Sequence, residues 1–207
     1  MNSVNIKRKW TVSTLESSYH HGSLREALLR AALEALEGPS GILLSLRELA
    51  RVVGVSPAAV YRHFPNKEAL LCAIGTEGLR LLGEAQQAAY DKAGGGVAGF
   101  AETGRAYVRF ALAHPALFRL VFAHGEAGRL ASDEADPARA LLERTTAELT
   151  GNGPTAERLA LQAWAIAHGI AMLMLDQRLP ADDALIDRLL DTGSLFQVQG
   201  SSSDESP

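Results

Sequence analysis

The stretch GVSPAAVYRHFPNKEALL (residues 54–71) joins a helix start made of small side chains to a cluster of aromatic and cationic ones. Ser56 is a favourable N-cap residue, and Pro57 suits the first helical position, where no backbone N–H is needed. Gly54 can adopt the left-handed conformation that ends a preceding helix. The stretch therefore predicts two helices joined by a tight turn, the second of which begins at Ser56.

Helix signals continue on the N-terminal side of this turn. Apolar residues recur at spacings of three and four after a potential capping box formed by Ser23 and Glu26. A second box, formed by Ser45 and Glu48, begins the helix that precedes the turn. Three short helices are therefore predicted in residues 23–64.

The second and third of these helices have the spacing of a helix-turn-helix. Ala50 is small enough for the two helices to cross, Gly54 forms the turn, and Val60 returns to the core. Because Val60 points inward, the small side chains at the start of the third helix face outward. A slim helix start can enter a major groove about 12 Å wide, where small side chains contact thymine methyl groups.

The side chains that follow suit contacts with the DNA backbone. Tyr61, Arg62 and His63 end the third helix, and Lys67 lies in the first turn of the next one. Such side chains reach phosphate oxygens, which sets the position and affinity of a protein on DNA but not its sequence preference. The structural alternative is a three-helix packing in which these polar residues are merely solvated.

The remainder of the chain also follows a helical period, and no segment has the pattern of a strand, so we predict an all-α protein. The expected organisation is a flexible N-terminal arm, a helix-turn-helix domain, a helical domain for effector binding and dimerisation, and a disordered polar tail, at residues 1–19, 20–65, 66–198 and 199–207. Helices of the third segment are predicted at residues 66–90, 97–113, 115–123, 136–150, 155–177 and 182–197. In the first of these, Gly75 and Gly78 mark a bend or a close packing contact.

Residues 20–71 resemble the N-terminal DNA-binding domain of the TetR/AcrR transcriptional repressors, through the run A…GVS…YRHF…KE.LL. The resemblance implies an all-α dimer that binds double-stranded DNA and whose second domain binds a small molecule. It implies base contacts by Arg47, Pro57, Ala58 and Tyr61, and phosphate contacts by Ser45, Arg62, His63 and Lys67. Ser56, as the N-cap of the third helix, is counted among the DNA-binding residues. Since Pro57 and Ala58 donate no side-chain hydrogen bond, sequence preference would depend on Arg47, apolar contacts and DNA shape.

Trp164, His168 and Gly169 resemble the Trp, His and Gly that mark the C-terminal domain of a TetR subgroup. Trp164 and His168 are four residues apart and share a helix face. They can line an effector pocket, in which His168 gives one polar contact to a small, largely apolar molecule, or form a core tryptophan beside a hydrogen-bonded histidine. The same two interpretations apply to Phe118, Phe122 and His124.

Apolar residues surround the whole of the predicted helix at residues 157–176, so every face of it is expected to be buried. One face can cover its own domain while another packs on a second copy of the chain. The final helix, at residues 182–197, would accompany it. We therefore expect these helices from two chains to form a four-helix dimer interface that includes Ile170.

The composition limits the classes of function. The net charge is −4 overall, but +3 over residues 1–70 and −7 over residues 71–207, which suits a basic DNA-binding end on an acidic body. The single cysteine, Cys72, cannot form an internal disulfide. No segment resembles a secretory signal peptide or approaches the roughly 18 apolar residues that span a membrane. We therefore expect a cytoplasmic protein with no membrane partner.

Sequence motifs of enzymes are missing. The histidines lack a metal-ligand spacing, no carboxylate pair stands out, and neither a phosphate loop nor a nucleophile motif is present. We therefore predict no enzyme activity, cofactor or metal. The predicted function is a homodimeric repressor that a small molecule releases from a near-palindromic operator. Two alternatives stay open, an effector-independent DNA-binding protein and a helical small-molecule-binding protein with a vestigial DNA-binding head.

Overall fold

The computed structural model describes residues 21–38, 45–122 and 136–191. These residues form nine helices and no strand, which confirms the all-α prediction. The helices are α1 (His21–Leu36), α2 (Leu46–Val53), α3 (Pro57–His63), α4 (Lys67–Lys92), α5 (Gly96–Ala113), α6 (Pro115–Val121), α7 (Pro137–Thr150), α8 (Pro154–Leu175) and α9 (Asp183–Leu189). The expected N-terminal arm and polar tail lie outside the described residues, and the domain boundaries stay predictions.

Local capping determines where α2 and α3 begin and end. Ser45 Oγ accepts a hydrogen bond from the Glu48 backbone N–H at 3.2 Å, and the Glu48 carboxylate accepts one from the Ser45 N–H at 2.8 Å. Gly54 ends α2 in the left-handed conformation, with φ at 77°. Ser56 caps α3 by accepting a hydrogen bond from the Ala59 N–H at 3.3 Å. The second capping box and the turn are therefore confirmed.

Two helix ends differ from the sequence predictions by more than two residues. α1 begins at His21, so Ser23 lies inside the helix and the predicted cap there is wrong. A serine within the first helical turn gives the same local pattern as a serine at the cap. The pattern therefore predicts the first residue of the helix only to within a few positions. α9 ends at Leu189 rather than at 197, and residues from 192 onward are outside the described part of the chain.

The first three helices form the part called the head here (residues 21–64), and α4 to α9 form the body (residues 67–191). In the head, buried apolar residues hold α1, α2 and α3 together, namely Leu28, Ala32, Leu49, Val60 and Phe64. α4 is 26 residues long and packs against α1 of the head as well as α5, α6 and α7 of the body. It is therefore the covalent and structural link between the two parts.

The glycines of α4 serve close packing. α4 is continuous through Gly75 and Gly78, both of which are buried. A Cβ atom at Gly78 would lie 2.6 Å from Val121 Cγ2 and 3.0 Å from Leu117 Cδ1, closer than side-chain carbons approach one another. The close-contact interpretation is therefore confirmed at Gly78, where glycine allows α6 to lie directly against α4.

Candidate nucleic-acid interface and aromatic cluster

The outward face of α3 is open to solvent. Val60 and Phe64 are buried and fix α3 on the head from the inside. The opposite face consists of exposed residues, namely Ser56, Pro57, Ala58, Tyr61 and Arg62. Tyr61 is 43% exposed, although an aromatic ring gains from burial. This face therefore presents a slim helix start followed by a phenol and a guanidinium group, all available to another molecule.

Other predicted contact residues are exposed at neighbouring helix starts. Ser45 and Arg47 lie at the start of α2, and Lys67 is the first residue of α4. Helix N-termini carry a partial positive charge, so they favour anions next to these side chains. His63 differs, because it is half-buried and offers less of its ring to a phosphate. DNA contact by each of these residues stays a prediction.

Arg25 adds a cation to the head that the sequence pattern did not indicate. Its guanidinium group lies over the ring of Phe64, 5.4 Å from the ring centroid. The side chain is exposed to solvent. Because Arg25 is in α1 and Phe64 follows α3, no local spacing in the sequence connects them. The contact places a positive charge beside the end of α3.

The four predicted effector residues lie together in the body. His168 of α8 packs on Phe118 and Phe122, which come from α6 and the residue after it, and Trp164 packs on His168. The predicted His124 lies outside the described residues. The centroids of the Phe118 and Phe122 rings lie 5.6 and 5.1 Å from that of His168. Tyr107 of α5 completes this group, and its ring centroid is 5.4 Å from that of Phe118. These five residues are called the aromatic cluster below.

Hydrogen bonds organise the polar atoms of the aromatic cluster. The indole N–H of Trp164 donates to the Tyr107 hydroxyl oxygen at 3.3 Å, and that hydroxyl lies 2.9 Å from His168 Nδ1. An indole N–H is only a donor, so the phenol is left to donate its proton to a neutral imidazole. Burial supports this arrangement, because it raises the pKa of Tyr107 and lowers the pKa of His168. Both groups are therefore uncharged near neutral pH.

Tyr107 is the member of the cluster that sequence reasoning missed. It is buried, and its partners His168 and Trp164 are 61 and 57 residues away. No local spacing could have identified it. Within the described residues, no three or more His, Cys, Asp or Glu side chains are grouped so that they could hold a metal ion.

The outward face of α8 exposes four large apolar residues. They are Leu161, Trp164, Ile166 and Leu173, which are 64%, 44%, 38% and 45% exposed. They form two groups on either side of that face, since Trp164 and Leu173 are about 180° apart around the helix, and the exposed Arg158 and Gln162 lie between them. Ile170 is only 8% exposed and belongs to the core of its own chain, so its predicted place in an interface is wrong. α8 is apolar all round, so periodicity could not indicate which face turns inward.

α8 also corrects the prediction that no segment approaches membrane-spanning length. Of the described helices, it is the one that is long and apolar enough to cross a membrane by length and composition, with a mean hydropathy of 1.4. The core helix of a folded protein passes the same test. Its packing on α5 and α7 accounts for part of this apolar character.

Two family models match separate parts of the chain. The model described as "Bacterial regulatory proteins, tetR family" matches residues 28–74. The model described as "Tetracyclin repressor-like, C-terminal domain" matches residues 100–193, which include all five members of the aromatic cluster. The chain belongs to the TetR family. Its head contains most of the residues that match the regulatory-protein model, and the helix-turn-helix of α2 and α3 lies among them.

Known proteins resemble this TetR-family chain in part or in full. It is 42% identical over 52 residues to the "Nucleoid occlusion factor SlmA" of Marinobacter nauticus, and 46% identical over 43 residues to the factor of the same name from Marinomonas sp.. These matches span 25% and 21% of this chain and 27% and 22% of the relatives. The chain thus covers about a quarter of the length of the curated relatives it matches.

Solved structures match over most of the chain. A protein with unknown function from Rhodococcus sp. RHA1 has a TM-score of 0.72 and 36% identity, covering 86% of this chain and 96% of that one. A protein from Pseudomonas aeruginosa PAO1, assigned as a transcriptional regulator, has a TM-score of 0.62 and 20% identity, covering 83% and 88%. The second likeness concerns the fold alone. Together with the family models, these structures support one architecture for head and body.

Proposed function

We propose that this TetR-family regulator is a homodimeric repressor that binds a near-palindromic operator and is released by a small, largely apolar molecule. The observation that carries the proposal is the outward face of α3, whose small residues precede Tyr61 and Arg62. Such a face suits entry into a major groove. The buried side chains of Val60 and Phe64 keep it rigid, which limits the entropy lost on binding.

The proposed complex has two kinds of contact, one with the bases and one with the phosphates. Arg47, Pro57, Ala58 and Tyr61 face the bases, while Ser45, Arg62, His63 and Lys67 anchor phosphates. Ser56 stays at the start of α3, where its side chain already caps the helix. Pro57 and Ala58 offer only apolar contact, so Arg47 would supply the hydrogen bonds that discriminate between bases.

The proposed dimer uses the outward face of α8. Four large apolar residues, in two groups on that side of the helix, lie in water in a single chain, and a second copy would cover them. A two-fold axis beside α8 places the same face on both sides of the interface. It also gives the dimer two heads, which matches an operator with two related half-sites.

The proposed effector site is the aromatic cluster. Its rings provide apolar surface, and its polar atoms are neutral, which suits an uncharged ligand with a single polar group. The Trp164 to Tyr107 hydrogen bond is the longer of the two and involves a half-exposed indole. A ligand acceptor that replaced the Tyr107 oxygen would satisfy the indole N–H and remove one of the two hydrogen bonds that join α8 to α5 in the cluster.

Selection of bound fragments from random DNA tests the proposed function. The expected result is enrichment of a two-fold related sequence, and loss of binding when an apolar compound is added that shifts Trp164 emission in a Trp10→Phe protein. Binding that no such compound affects would favour the effector-independent alternative. If no sequence were enriched at low salt while a compound still bound, the helical small-molecule-binding alternative would be preferred.

A further inference from the structure

α6 begins without a cap of its own. His114, its N-cap residue, makes no side-chain capping hydrogen bond, and Pro115 has no N–H to donate. The backbone N–H of Leu117, at the third helical position, instead donates to Glu37 Oε1 at 2.6 Å. Glu37 directly follows α1 and lies 80 residues away in the chain. The head therefore supplies the capping carboxylate for a helix of the body.

The same short helix contacts α4 and the aromatic cluster. At Gly78 the close approach leaves no space between α6 and α4. Phe118 and Phe122 pack on the ring of His168. Because packed side chains resist deformation, a displacement of these rings would be passed on to α6. The Leu117 N–H would then move relative to the head.

We propose that Glu37 is a positioning residue, whose hydrogen bond to α6 sets the orientation of the DNA-binding head on the body. A ligand in the aromatic cluster then acts on the head by drawing the α6 N-terminus away from this carboxylate. The inference rests on the proposed function and adds how ligand binding in the body would change the position of the head. The helix dipole favours an anion at this end of α6, and a hydrogen bond to a charged group is stronger than a neutral one.

Matched variants separate this role from a general effect on folding. Glu37→Ala removes the cap, whereas Glu37→Gln keeps a side-chain oxygen that accepts the same hydrogen bond. Glu34→Ala removes an exposed carboxylate from α1, the helix that Glu37 follows, and is the control. Each is made in a Cys72→Ser protein with spin labels on Val52→Cys in the head and Val97→Cys in the body, two positions where the native valines are exposed.

Double electron–electron resonance then measures the distance from head to body without DNA. Labelled protein is diluted with unlabelled protein, so that only distances within one chain contribute. We expect a narrow distance distribution in the labelled parent, E37Q and E34A, and a broader one in E37A. Equal widths in E37A and the parent would overturn the proposal.

Affinity for a duplex selected from random DNA gives a second measurement. E37A should bind about 3- to 30-fold more weakly, because only a fraction of the free protein then holds the head in the binding orientation. The dependence of affinity on salt should not change, since no phosphate contact is lost. A lower melting temperature with unchanged affinity would contradict the proposal. If the parent selects no duplex, the proposed function fails, and the distance measurement still decides the role of Glu37.

Discussion

A charge on the outward face of α8 should dissociate the dimer without unfolding the subunit. Leu161→Asp is the sharpest change, because Leu161 is 64% exposed in the single chain and is the most exposed apolar residue of that face. Substitutions on a free surface change the free energy of unfolding by less than about 0.5 kcal/mol. The subunit should therefore remain folded, with nearly the same stability as the unmutated subunit.

The same substitution is costly in a two-fold interface. Burial of a whole leucine side chain contributes about 1.5–3 kcal/mol, and symmetry makes every substitution count twice. Since 64% of Leu161 is exposed in the single chain, the lost burial is about 2–4 kcal/mol per dimer. This loss weakens dimerisation roughly 30- to 1,000-fold, before the desolvation of two carboxylates adds to it.

Sedimentation velocity over a series of concentrations measures the effect. Val97→Asp is the matched control, because Val97 is also an exposed apolar residue but lies on α5, outside the proposed interface. Ile170→Ala should instead lower the free energy of unfolding by about 2–5 kcal/mol, since this residue is in the core. Our assignment of the interface would be refuted if Leu161→Asp dimerised as tightly as the unmutated protein.

Three further predictions concern the packing and titration of the body. Gly78→Ala should lower the free energy of unfolding by about 1–3 kcal/mol through its clash with Val121, whereas Gly104→Ala, whose Cβ would meet nothing closer than 3.7 Å, should be neutral or stabilising by thermal unfolding. Tyr107→Phe leaves two polar partners unsatisfied and should lower the free energy of unfolding by about 1–3 kcal/mol, with a shift in tryptophan emission. Burial lowers the pKa of His168 in the folded protein below its usual 6.5. As the pH falls through 6.5, the unfolded chain therefore binds more protons than the folded one. The free energy of unfolding is highest above pH 6.5, where the ring is neutral in both states, and decreases below it. Between about pH 7.5 and 5.5, the melting temperature of His168→Gln should therefore fall less than that of the unmutated protein. An equal fall in both proteins would contradict the assignment of a neutral imidazole at His168.

The head could be predicted from sequence because its signals are local. The Ser45 to Glu48 box and the Gly54 turn each involve residues within four positions, and they recur in the structure. Trp164 and His168 are also a local pair, four residues apart on one helix. Interactions of this kind are encoded in spacing, so a single sequence is enough to recognise them.

The remaining features depend on contacts between distant segments. Tyr107 and Glu37 meet partners 57 to 80 residues away, and no spacing in the chain identifies such pairs. The inward face of α8 could not be assigned either, because apolar residues surround the helix, and the prediction for Ile170 is wrong for this reason. Packing of whole helices decides these positions, and helix periodicity alone does not describe that packing.

Titration of a selected duplex at several salt concentrations tests the central claim most directly, with fluorescence anisotropy as the readout. Lys67→Ala should weaken binding to selected and scrambled duplexes alike and reduce the slope of log affinity against log salt by about one unit. Arg47→Ala should instead reduce discrimination at one base pair per half-site by about 1–3 kcal/mol. Arg178 is exposed and lies three residues after the end of α8, so Arg178→Ala should bind like the unmutated protein. The account is contradicted if all three variants lose affinity equally on both duplexes, or if none of them loses any.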